Sequence, residues 1–184
     1  MGRVIVVQFI TLDGVVEDPD GSDGTPFGGW AMRFGPQGVA GDKFRLGSIL
    51  ETGTLLFGHR TWRHFSALWP NRDDPFSRAM NAASKAVLAS GPVALEAWSG
   101  SSAVSGGLDD WLGRTLPSRD VVVIGSGSVV SELARRDAVD EYRLLTFPTA
   151  VGDGRRLFAG RIDARLVSAE QVGPAALSVL DVRG

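Results

Sequence analysis

Short apolar runs alternate along the chain with segments whose apolar residues recur at helical spacing. Arg3 to Ile10 is rich in Val and Ile without polar alternation, the pattern of a strand buried on both faces. Thr54 to Phe57, Ala86 to Ala89, Val121 to Ile124 and Tyr142 to Phe147 read the same way. Leu46, Ile49 and Leu50 predict a helix over Asp42 to Gly53, with Gly53 as its stop. Gly58-His59-Arg60-Thr61 opens another helical turn, and Phe65 to Asp74, with its Trp, Pro and Asn, reads as a loop. Pro75 to Ser84 predicts a short helix. Leu108, Trp111 and Leu112 mark a helix that stops near Pro117, and Val129, Val130, Leu133 and Ala134 mark one more. Ala94 to Gly106 is small and polar, with room for one short strand. Arg165 to Val172 and Ala176 to Val182 predict two closing strands joined through Gly173-Pro174. Thr11 to Gly41 is dense in Gly, Asp and Pro. Such a long loop is functional or disordered, and its embedded Trp30 and Phe34 favour a packed functional loop.

Strand and helix alternate until the final hairpin. That order predicts an α/β fold: a mixed, mostly parallel sheet flanked by helices, with an antiparallel C-terminal hairpin. No segment reads as a linker, so residues 1–184 are expected to form a single domain. The mean hydropathy of +0.05 describes an ordinary core. The chain has no cysteine, which excludes a disulfide framework, a thiol nucleophile and a Cys-rich zinc site. A net charge of −2 with no basic tract argues against a nucleic-acid surface. The N-terminal apolar run is too short for a membrane span, and no small-residue cleavage site follows it. A cytoplasmic protein without nucleic-acid or membrane partners is the expectation.

The candidate chemistry lies at strand ends. Val121 to Ile124 runs into Gly125-Ser126-Gly127-Ser128 and then into a helix. A helix N-terminus presents free N–H groups and the positive end of the macrodipole, and glycines let a phosphate approach them. Ser126 and Ser128 add hydroxyl donors or cap the helix. The same segment also reads as a simple capped turn. It lacks the Lys of a Walker loop, and Val130 stands where a third Rossmann glycine would be. Gly58-His59-Arg60-Thr61 is a second strand-to-helix turn, with Arg60 able to grip a phosphate and Thr61 to add a hydroxyl. Ser90 ends a third strand. His59 and His64 stand five positions apart and so do not share a helical face as metal ligands would; no metal is expected.

Four segments, in order, resemble the dihydrofolate reductase-like superfamily, and within it the bacterial branch of the RibD C-terminal reductase domain of riboflavin biosynthesis. They are Gln8–Gly21, Gly53–Phe65, Met80–Ser90 and Val121–Phe158. The last is the most specific. It runs from Asp140-Glu141-Tyr142-Arg143 through Pro148, Gly152 and Gly154 to Leu157-Phe158, with Asp153 in place of a middle glycine. The resemblance implies NADPH as cofactor. Its phosphates would lie between Gly58, Arg60 and Thr61 on one side and Gly125, Ser126, Gly127, Ser128 and Val129 on the other, with Ser90 near the adenosine 2′-phosphate. Gly91 and Pro92 stand after Ser90, where many relatives place a basic residue. The resemblance also implies a homodimer paired through sheets or closing hairpins.

Hydride transfer needs placement and exclusion of water more than it needs a nucleophile. Asp13, directly after the first strand, and Asp42, at the start of the first predicted helix, are the candidate proton sources; each also reads as a turn or helix-start residue. Thr11, Trp30 and Phe34 are candidates for the walls of an acceptor pocket. These readings combine into an NADPH-dependent reductase of a small pterin- or pyrimidine-like acceptor. A catalytically weak nucleotide-binding or interaction module on the same scaffold is the alternative, and free-standing reduction of the riboflavin-pathway pyrimidine is a third reading.

Overall fold

The computed structural model describes residues 1–183. Its strands are β1 (Val4–Thr11), β2 (Thr54–Gly58), β3 (Ser84–Leu88), β4 (Ser101–Ala103), β5 (Val121–Ile124), β6 (Glu141–Phe147), β7 (Arg165–Val172) and β8 (Ala175–Asp181). Its α-helices are α1 (Pro36–Val39), α2 (Ile49–Thr52), α3 (His59–Leu68), α4 (Pro75–Ala82), α5 (Leu108–Thr115) and α6 (Gly127–Ala134). The strands form a mixed sheet in the order β4-β3-β2-β5-β1-β6-β8-β7, parallel in its first four strands and antiparallel at the closing hairpin. None of the described helices is long and apolar enough to cross a membrane. Two compact units divide the chain: Met1–Ile5 with Leu46–Ala138, and Val6–Arg45 with Val139–Gly184.

In the first unit, β2 is buried along its whole length and pairs in parallel with β3 and β5. This is why Thr54 to Gly58 and Val121 to Val123 read as continuous apolar runs: both faces of these strands are covered. Helix α3 runs on through Phe65 to Leu68, where a loop is expected from the sequence. The reason is aromatic packing at helical spacing. Phe65 meets Trp69 edge-on at 5.8 Å and Phe57 at 5.7 Å, and Pro70 ends the helix only after these contacts are made. Helix α4 starts at Asp74, whose carboxylate accepts from the Phe76 and Ser77 amides, with Pro75 in the first turn. It ends over a buried cation. Lys85 is 1 % exposed, and its Nζ donates to the carbonyls of Asn81, Ala83 and Ser99 at 2.7–3.0 Å. The same ammonium lies 4.5 Å from the Trp98 ring, and the Trp98 indole N–H donates to Asn81 Oδ1.

In the second unit, β6 pairs with β8 and β8 with β7, with a bulge at Leu166/Ser168; Gly173 turns the hairpin at φ +60°. The long segment after β1 is irregular, yet it is fastened at several points. Phe147 collects the rings of Phe9, Trp30 and Phe34 at 5.2–5.7 Å. Asp18, 3 % exposed, accepts from the Asp23 and Thr25 amides and the Thr25 hydroxyl at 2.8–2.9 Å. Burial pushes the Asp18 carboxyl up, but these donors outweigh it and hold the pKa below the ordinary range. Arg143 pairs with Glu141 at 2.6 Å and donates to the Phe44 and Arg45 carbonyls. The helix expected over Asp42 to Gly53 shrinks to α2. Gly41, Arg45 and Gly47 all have positive φ, which no α-helix accommodates.

Burial pushes the Lys85 ammonium down to about 8. Its folded-state pKa then lies below its unfolded value, so the unfolded chain binds more protons between those limits. Burying the charge costs stability below pH 8, and that cost fades as the pH rises towards 10.5. Urea unfolding at stepped pH is expected to show the native chain gaining stability over this window relative to Lys85→Met. Parallel pH profiles would show that the ammonium is not the titrating group.

Candidate functional site

Parallel pairing brings distant turns together. Leu56 lies opposite Val123 and Gly58 opposite Leu88, so β2, β3 and β5 end at one edge of the first unit. Gly58 leads into α3, Gly125 and Ser126 lead into α6, and Ser90 stands exposed two residues beyond Leu88. Gly125 has φ +65° with open space where a Cβ would stand. The turns touch: a Cβ on Gly58 would lie 3.4 Å from Ser128 Oγ and 3.4 Å from Val129 Cγ2. The Gly58 amide donates to Ser126 Oγ at 2.9 Å, and Ser126 is 2 % exposed.

Neither α3 nor α6 has a side-chain cap at its N-terminus. The first-turn amides of both helices therefore have no intrahelical acceptor, and two positive dipole ends stand side by side. Arg60 is exposed on the first turn of α3, and Thr61 is half-buried next to it. Ser128 is exposed; the Val129 side chain is buried, so this residue has only its amide to offer. Ser126, expected as a hydroxyl donor or helix cap, does not cap α6. Its oxygen accepts the Gly58 amide and fastens one turn to the other. An anion of pyrophosphate type suits this set of amide donors and the guanidinium beside them.

The acids and aromatics of the second unit are placed differently from the sequence-based expectation. Asp13 Oδ1 accepts from Thr11 Oγ1 at 2.6 Å and from the Val151 amide; Oδ2 accepts from the Gly152 amide at 2.8 Å. The Thr11 hydroxyl and the Gly152 amide are the main causes that bring its pKa down to about 2. Asp13 is thus ionised at neutral pH and ties the segment after β6 to the end of β1; it is no proton source there. Thr11 is buried, and its hydroxyl also accepts the Val15 amide at 2.9 Å, so the side chain belongs to the turn and leaves no donor for an acceptor molecule. Asp42 lies in an irregular segment, not on a helix. Trp30 is fully buried, with its indole N–H on the Glu17 carbonyl at 2.9 Å and its ring against Phe147. It is core, not pocket wall. Phe34 keeps a partly exposed face. Sequence reasoning missed Arg143, Glu141 and Asp18 as organisers of the long loop. The signal for Asp18 was present in the Asp-Pro-Asp-Gly turn sequence at 18–21.

Two outcomes are expected. Ser126→Ala removes the acceptor of a buried amide and is expected to lower unfolding free energy by about 1–2 kcal/mol in urea. The folded pKa of Asp13 lies below its ordinary 3.8, so its tie is present above that pH and is lost as the pH falls towards 2. Asp13→Asn is expected to speed hydrogen exchange at the Val151 and Gly152 amides at neutral pH. Unchanged exchange there would remove Asp13 as the anchor.

Comparison with known proteins agrees with this architecture. Residues 112–178 match the model of the RibD C-terminal domain. No curated protein matches the sequence. A protein of Shewanella sp. PV-4 named for riboflavin biosynthesis superposes over 99 % of this chain and 99 % of its own, with a TM-score of 0.71 at 18 % identity. Acinetobacter baumannii RibD superposes in two crystal forms. In the first, 100 % of this chain covers 59 % of that one, with a TM-score of 0.61 at 16 % identity; in the second, 98 % covers 58 %, with a TM-score of 0.59 at 15 %. The chain thus spans somewhat over half the length of RibD. The matched sequence includes the Gly125–Ser128 turn and the segment after β6, while the Gly58–Thr61 turn lies outside it. Over residues 112–178 the sequence is similar to the RibD C-terminal domain, and over its whole length the chain shares the fold of these structures.

Proposed function

We propose that the chain is a nicotinamide-dependent reductase that uses NADPH to reduce a small heteroaromatic acceptor of the pterin or pyrimidine class. The observation that carries this reading is the joining of two uncapped helix N-termini by the Gly58 amide and Ser126 Oγ. The RibD C-terminal match and the likeness to RibD support a place for that reduction in riboflavin-type metabolism.

In this reading the first-turn amides of α3 and α6 hold the cofactor pyrophosphate and Arg60 adds a charge-assisted contact. Gly125 keeps the backbone open for that approach. Ser90, Gly91 and Pro92 are exposed at the end of β3 and leave the 2′-phosphate a hydroxyl but no adjacent cation. NADPH, when bound, supplies the hydride; the chain supplies orientation and shelter from water. With Asp13 held ionised, the proton is assigned to a water molecule. A chain working on NADPH belongs in the cytoplasm, and we propose a homodimer as its working form.

Titration with NADPH is expected to quench tryptophan emission, and Arg60→Ala to raise the dissociation constant by about ten- to a hundredfold, the equivalent of 1–3 kcal/mol. Gly127→Val is expected to block binding while the fold persists. Equal affinity in the native chain and in both variants would leave the turns structural. Turnover of the ribosylamino-pyrimidinone of riboflavin biosynthesis with NADPH tests the acceptor. Cofactor binding without turnover of that or any pterin substrate would favour the nucleotide-binding module. Sedimentation as a monomer would remove the homodimer.

A further inference from the structure

A cleft lies at the other end of the same strands. It measures about 340 Å³, the low end of the range for small-molecule sites. Ser84 opens β3 and Arg119 stands just before β5, so this cleft sits at the amino ends of the parallel strands, opposite the edge that carries the paired turns. Its floor is unusual for a parallel sheet. Ser84 and Ala86 share one face of β3, and Ser102 pairs with Ala86 from β4. Large branched side chains normally fill such a face. Here small ones leave the space open, and α5 with the turn after it forms the wall.

The wall is cationic. Arg114 and Arg119 line the cleft, and no Asp or Glu lines it among the described residues. Arginines near a helix C-terminus often serve only to neutralise its free carbonyls. That role is filled in part by backbone amides. The Leu112 carbonyl accepts from the Leu116 amide, Thr115 from the Ser118 and Arg119 amides, and Leu116 from the Gly2 amide at 2.6 Å. Arg114 reaches the Ser105 carbonyl through one Nη, and Arg119 reaches Ser84 Oγ at 3.3 Å; each guanidinium has further N–H groups to offer.

The hydroxyls have a defined polarity. Ser102 donates to the Lys85 carbonyl, Thr115 to the Trp111 carbonyl and Ser118 to the Thr115 carbonyl. Each gives its proton to the backbone, so that its oxygen is left as an acceptor on a residue that lines the cleft. Ser84 accepts from Arg119 and so keeps its proton to give. Guanidiniums beside hydroxyl acceptors match a ligand that combines a phosphate with sugar hydroxyl donors. We propose that this cleft binds a phosphorylated polyol, a sugar phosphate, at a site separate from the paired turns.

The experiment uses the full chain and ribose 5-phosphate as probe, with inorganic phosphate, ribose and an oligoglutamate peptide as parallel arms. Affinity is read by calorimetry and location by amide chemical shifts. Ribose 5-phosphate is expected to bind more tightly than phosphate or ribose and to shift the Ser84, Ser102 and Ser118 amides. Arg114→Ala with Arg119→Ala is expected to weaken it at least about tenfold, whereas Arg60→Ala, at the other edge, is expected to leave these shifts in place. The shift map reads the site without any variant. Shifts confined to Gly58–Thr61 and Gly125–Val129, equal affinity for inorganic phosphate, undiminished binding by the double variant, preference for the acidic peptide, or no binding at all would each overturn the proposal.

Discussion

The candidate site depends on the parallel register of β2 against β5. Parallel strands deliver their carboxyl ends to the same edge, and each of these two strands turns directly into a helix. The consequence is electrostatically awkward, because two positive helix ends stand together and repel. Gly58 lets the turns approach, and the bond from its amide to Ser126 Oγ fastens them. The buried strands beneath supply the cohesion. An anion between the two helix ends would relieve the repulsion that the packing otherwise has to absorb, which is the physical basis of the proposed phosphate site.

Carboxylates in the second unit solve a different problem. The segments after β1 and after β6 have little regular structure and carry backbone amides that need acceptors. Asp18 takes the Asp23 and Thr25 amides, Asp13 takes those of Val151 and Gly152, and Glu17 takes that of Arg155. Arg143 does the converse by donating to the Phe44 and Arg45 carbonyls while Glu141 balances its charge. Ionic groups here act as substitutes for secondary structure. A carboxylate that accepts several amides is held ionised, so the same placement that orders the loop withdraws Asp13 from proton transfer.

Much of the fold was legible because burial on both faces leaves a plain imprint. Val121–Ile124 occurs with the predicted bounds, and β2, β3, β6 and β8 differ by a residue or two; Arg165–Val172 also keeps its bounds, but as an exposed edge strand marked by the hairpin turn at Gly173-Pro174. The failures share a cause. Phe65 to Asp74 is rich in loop-forming residues, but the spacing of Phe65 and Trp69 along one helical face outweighs them. Leu46, Ile49 and Leu50 carry a helical period over a stretch in which Gly41, Arg45 and Gly47 adopt positive φ. For Trp30 and Asp42 the sequence offers only residue type, and type does not say whether an indole lies inside the core or whether an acid stands on a helix.

The sequence by itself determined the order of strands and helices, the small-residue turns at three strand ends and the identity of the residues around them, because these follow from local periodicity and backbone freedom. Only the tertiary structure decided that Gly58 would meet Ser126 across sixty-eight positions, that Asp13 would be tied down as an anion, and that Ser84, Ala86 and Ser102 would floor an open cleft. Those outcomes depend on which strands become neighbours. Strand pairing is set by the packing of the whole sheet and leaves no mark in any single stretch of chain.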